Sequence, residues 1–180
     1  MSHTSRFVLE LRGSRRSFTS WTWGPVLCTR WLAKPTLDDI RFAGDIHMRF
    51  AHEQAAKDEP LLVWSFIHHL KGASLDDEGR NAAHQQRVEA RDTMLASAIV
   101  IDGTGFFPAM ARALMTGLSM LQNGRIQESF FRKDEDAAAF LSKALSTTNV
   151  PVDDDELLAL ALQLRETSLP DGDVGGGGDG

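Results

Sequence analysis

The chain has 180 residues, is 42% hydrophobic and 24% charged, and carries a formal net charge of −6, values that suit one globular domain and exclude a disordered chain. One cysteine, Cys28, excludes an intramolecular disulfide and any cysteine-cluster metal site, and suits a reducing compartment. There is no 18-residue apolar stretch and no signal-like run near Met1, so the expectation is a soluble, cytoplasmic protein without membrane insertion.

Charge is uneven along the chain. Residues 1–35 hold six basic side chains against Glu10, giving +5, and residues 150–180 hold eight acids against Arg165, giving −7. A basic head can serve as a nucleic-acid arm, but the acidic body behind it disfavours a polyanion, so no nucleic-acid partner is expected.

Residues 1–16 lack clear periodicity apart from Phe7–Leu11 and read as an N-terminal arm, with an extra edge strand as the alternative. From Ser17 a pattern emerges: Thr19, Trp21 and Trp23 alternate with Phe18, Ser20 and Thr22, as the two sides of a strand do. Gly24-Pro25 breaks that strand and Val26–Leu32 resumes, which predicts an antiparallel hairpin. Thr36 with Asp39 three residues on predicts a capped helix over 37–57, with Ile40, Ala43, His47 and Phe50 along its apolar stripe and Ile46 beside it.

Leu61–Leu70 is apolar without alternation, the mark of a strand covered on both sides. A polar, largely exposed helix should follow from Ser74, read as its N-cap, to Met94. Ala96–Asp102 predicts a second buried strand, and Pro108 opens a helix to about Gln122. Arg125–Phe131 reads as an edge strand, and Asp134 as the cap of a core helix carrying Phe140, Leu141 and Leu145. After a linker with Pro151, residues 156–166 form a leucine-rich helix able to dock on the domain or on a partner, and 170–180 is a disordered glycine-rich tail. The organisation is thus an arm (1–16), an α/β domain (17–145), a linker with a C-terminal helix (146–169) and the tail. The fold class is α/β, a β-β-α-β-α-β-α-β-α mixed sheet plus an appended C-terminal helix.

Chemistry-bearing patterns are sparse. Asp102-Gly103-Thr104-Gly105-Phe106 lies between a strand and a helix, where an anion or nucleotide can sit on free backbone N–H groups. Pro108 stands where a dinucleotide fingerprint needs a small residue, so a tight βα turn is the preferred reading of the glycines. His68 and His69 point to opposite sides of a strand, and His47 and His52 are five apart on a helix, so no metal site and no cofactor is expected. None of Cys28, Ser65, Ser74 and Ser97 stands in a nucleophile motif, and no catalytic residue is assigned.

The element order resembles the STAS, or anti-sigma-factor-antagonist-like (STAS/SEC14-type), domain family, including its bacterial members. The passage from Gly24-Pro25 to Pro35-Thr36-Leu37-Asp38-Asp39 is similar to its second strand entering helix one, Leu61–Phe66 to its central third strand, and Arg125–Phe131 with Lys133–Leu141 to its last strand and helix. The resemblance spans residues 17–145 and implies a non-enzymatic regulatory module with a protein partner. The family's phosphoacceptor loop corresponds to His68–Asp76 and departs from the family pattern, with Ser74 as its only hydroxyl. Lys71, Gly72, Ser74 and Asp76 become the expected interaction loop. A small-ligand or lipid-binding domain using Trp21, Trp23, Trp64 and Phe106 is the alternative, and an enzyme using the Asp102–Phe106 turn is the third. A homodimer also stays open.

Overall fold

The computed structural model describes residues 6–67, 77–90, 93–101 and 127–167. Six strands form one sheet in sequence order: β1 (Leu9–Arg15), β2 (Phe18–Trp23), β3 (Val26–Trp31), β4 (Leu62–Ile67), β5 (Ala96–Ile101) and β6 (Gln127–Phe131). The first three are antiparallel neighbours, and β3 to β6 are parallel. Four helices complete the described residues: α1 (Leu37–Ala56), α2 (Asp77–Ala90), α3 (Asp134–Leu145) and α4 (Asp154–Glu166).

The mixed α/β class and the hairpin are as the sequence predicts, and β4 and β5 are neighbouring interior strands. The start of the chain differs. Over Leu9–Arg15 the arm is the sheet's first strand, with a bulge at Arg12 between Leu11 and Gly13. The extra residue shifts the alternation midway, so no two-residue period shows in the sequence. A Cβ at Gly13 would lie 2.6 Å from Ile46 Cδ1, and this absence of a side chain lets α1 press on β1.

Parallel strands that step in one direction through right-handed crossovers carry their linking helices on one face of the sheet. α1 lies there, with Ile46, Phe50 and Ala51 packed on Phe18, Leu27 and Leu61. Its N-terminus is a complete capping box: the Asp39 N–H donates to Thr36 Oγ1 at 3.2 Å, and the Thr36 N–H to Asp39 Oδ2 at 2.9 Å. The buried stripe is centred on Ile46 and Phe50, so His47 falls at its margin instead of on its axis.

The opposite face bears Trp21, Trp23, Val26, Cys28, Leu62, Trp64, Phe66, Ala96, Ala98 and Val100, and crossovers alone would leave it bare. The chain returns from β6 to close it. α3 contributes Ala137, Ala138, Leu141 and Leu145, and α4 contributes Leu157, Leu160, Ala161 and Leu164, all fully buried or nearly so. Each of those leucines removes enough apolar surface to contribute about 1.5–3 kcal/mol. The helix that the sequence presents as an appendage is therefore a wall of the main core. It begins two residues earlier than the pattern suggests, because Asp153 is its N-cap and accepts the Glu156 N–H at 2.8 Å.

Asp134 does not cap α3. Lys133 holds the N-cap position without a side-chain bond, and the Asp134 carboxylate, one residue inside, is taken by Arg165. The expected helix over 108–122 and the tail over 170–180 lie outside the described residues, as do the first residues of the exposed helix predicted from Ser74.

Candidate functional site

The two segments singled out for function, Lys71, Gly72, Ser74 and Asp76, and Asp102, Gly103, Thr104, Gly105 and Phe106, lie outside the described residues. The strands before them are well placed, however. β4 ends at Ile67 and β5 at Ile101, and these two residues pair directly across the parallel ladder. β4 and β5 therefore end side by side on the sheet's carboxyl edge, where open parallel sheets gather their functional loops.

α1 and α2 flank a groove of about 370 Å³, lined mostly by polar side chains together with Leu37 and Ala82. Arg41 and Asp45 line it from α1, and Glu78, Asn81, Gln85 and Glu89 from α2. These positions recur every three or four residues, so each helix turns one polar strip toward the other. α2 is the least apolar of the four helices, its Val88 is 56% exposed, and none of its described side chains belongs to either hydrophobic cluster. Gln86 joins it to α1: its Nε2 donates to the Ile40 carbonyl at 2.7 Å over Gly44.

The far side of the sheet carries a different polar set. Arg165 Nε and Nη2 donate to Asp134 Oδ2 at 2.5 Å and Oδ1 at 2.9 Å, a two-pronged pair tying the last turn of α4 to the first turn of α3. Arg30, from β3, donates to the Leu164 and Thr167 carbonyls at the C-terminus of α4, where a cation also meets the negative end of the helix dipole. Burial, and then the nearby Arg165, lower the Arg30 pKa. This is an anchor for α4. All its described groups face inward to the helices, and none lines the groove.

Other candidate residues sort plainly. Trp21, Trp23 and Trp64 are at most 4% exposed and packed within the α3/α4 core, away from the groove, while Phe106 is outside the described residues. Burial pushes the Cys28 thiol up, so it stays protonated and inert. His47 Nε2 is buried without a hydrogen-bond partner among the described residues, and burial pushes its pKa down to about 4. His68 and His69 are outside the described residues. Among the described residues no group of three or more His, Cys, Asp or Glu side chains comes together to hold a metal ion, and no helix is long and apolar enough to cross a membrane. Asp39 is buried, which raises its pKa, but the Thr36 hydrogen bonds and Arg15 at 3.5 Å outweigh that and leave it lowered.

The groove was not legible in the sequence. Its signal was present, in Gly44 on α1 and in the polarity of residues 77–90, but only the packing of the two helices pairs them. Comparison with family models, curated proteins and solved structures finds no match for this chain.

Proposed function

We propose that the chain is a non-enzymatic, STAS-like regulatory module of the cytoplasm that binds a protein partner with its α1/α2 side. One observation carries this reading. α2 is a solvent-facing helix that adds no described side chain to the hydrophobic core, yet it is packed along α1 and shares a groove with it. A helix that is polar all round contributes little to stability by burial, so its retention points to a surface role. The order hairpin, helix, interior strand over residues 18–67 supports the family likeness, and Lys71, Gly72, Ser74 and Asp76 fall in the sequence between β4 and α2.

The charge pattern suits a protein partner better than a polyanion, since Asp45, Glu78 and Glu89 outnumber Arg41 around the groove. Ser74, as the one hydroxyl of its loop, is the position where added negative charge would alter binding.

The test is affinity capture from the native host with the wild-type chain, Glu89→Arg with Gln85→Arg, and Ser74→Asp, each checked for unchanged circular dichroism. The reading expects a partner held by the wild type and released by the groove variants. A partner held equally by all three would end it. So would turnover in a substrate panel that a single substitution abolishes.

A further inference from the structure

We infer that the outer edge of β1 is a seam between two copies of this chain, which pair antiparallel through residues 8–11. The inference stands apart from the proposed function, since no β1 residue is among the described residues that line the groove.

β1 is the first strand of the sheet, and its backbone bonds to β2 alone among the described residues. Two tight turns fix which of its backbone groups that leaves over. Arg15 and Phe18 flank the two-residue turn Arg16-Ser17, and Trp23 and Val26 flank Gly24-Pro25. Residues that flank such a turn bond to each other, and bonding alternates along the strands from there. Phe18, Ser20 and Thr22 therefore turn their backbone toward β1, and Thr19, Trp21 and Trp23 turn theirs toward β3. Glu10, opposite Thr22, bonds to β2. Leu9 and Leu11, opposite Trp23 and Trp21, aim their N–H and C=O groups outward.

Open strand edges are commonly guarded by charges, bulges or covering segments. On β1 the guards sit toward one end: the bulge at Arg12, then Arg15 and Arg16. The stretch from Val8 to Leu11 is open. Val8 is 75% exposed and Leu11 51%, two of the four large apolar side chains that stand exposed among the described residues. Glu10 is the one charge between them, and Arg12 of the same chain bridges it at 3.4 Å.

A second copy fits this stretch in one register. The bulge ends regular pairing after Leu11, so a two-fold axis through Glu10 uses the regular part twice. Leu9 then meets Leu11 of the second copy, and Leu11 meets its Leu9, each pair exchanging two backbone hydrogen bonds. These side chains lie on the face of Trp21 and Trp23, and the four leucines continue that apolar layer across the seam. On the α1 face, each Glu10 lies between its own Arg12 and, on the diagonal, Arg12 of the second copy. The strand supplies both signs of that quartet itself, a complement that a foreign strand would have to bring. A two-fold contact of this kind closes at two copies and removes the edge.

The experiment uses the full chain. A seam this short buries less than a standard interface, so sedimentation velocity should show monomer at about 1 µM and dimer at about 500 µM. Leu11→Lys sets a charge in the seam from each copy and should weaken association at least about tenfold. Glu10→Cys, on the axis, brings two Cα atoms to about 4.5 Å, within disulfide reach, and should link in air. Cys28 is buried and stays out of that reaction. Ser14→Cys, beyond the bulge, should stay unlinked. The seam is overturned by a wild type that is monomeric at every concentration, by Leu11→Lys associating as the wild type does, or by Glu10→Cys linking no better than Ser14→Cys. A strand of another protein held on this edge by a monomeric chain would overturn it too.

Discussion

The two faces of the sheet are covered in opposite ways. On one, α3 and α4 seal a layer of tryptophan, leucine and alanine, and a two-pronged ion pair with an arginine cap fixes their ends. On the other, α1 is set in a smaller apolar cluster, and α2 packs on α1 without adding a described side chain to that cluster. Topology explains the division. Crossover helices arrive with the strands on their own face, whereas the remaining face must be closed by chain that returns after the last strand. The larger apolar core lies where the returning helices are, and the other side carries a polar surface.

The comparison breaks most visibly if α4 is breached. Leu160→Asp buries an uncompensated carboxyl in the main core and should cost more than about 4 kcal/mol, abolishing the cooperative thermal transition. An unchanged melting temperature would show that α4 is an appendage after all. Acid probes the opposite face. His47 is neutral when folded, with its pKa lowered from 6.5 to about 4, so the unfolded chain binds the extra proton between those values. Stability should then be full above pH 6.5 and fall as pH drops toward 4, by at most about 3 kcal/mol, and His47→Gln should flatten that slope in urea titrations across the range.

Smaller effects sharpen the contrast. Asp134→Ala leaves Arg165 without its two-pronged acceptor and should cost about 2 kcal/mol by chemical denaturation. Thr36→Ala removes one half of the α1 capping box and should cost about 1 kcal/mol. Val88→Ala, on the outside of α2, should change stability by less than about 0.5 kcal/mol.

Much of this architecture can be read in the chain. Alternation around Trp21 and Trp23, the unbroken apolar run from Leu61 and the Thr36/Asp39 cap each arise from local chemistry, and each gives the element that the structure contains. What escapes is what depends on distant partners. The bulge at Arg12 hides β1 by disrupting its period. Asp134 looks like a cap because nothing nearby in sequence shows that Arg165, 31 residues on, will take its carboxylate. The leucines of α4 read first as a face docked on the domain, with a partner face as the alternative, and the bare side of the sheet shows where they dock. Gly44 and Gln86 are 42 positions apart, and neither residue type by itself announces a contact. The expected loop residues from Lys71 to Asp76 rest on sequence likeness alone.

Unequal attachment of the two faces can be measured with two probes on one chain. Cys28 is buried, so a dye on Val88→Cys reports α2 alone, and with Trp31→Phe, on the α1 side, the emission of Trp21, Trp23 and Trp64 reports the sealed face. During urea unfolding the dye signal should change at clearly lower denaturant than the tryptophan emission. Superimposable curves would mean that α2 and the core unfold as one cooperative unit, and would contradict the division on which this account stands.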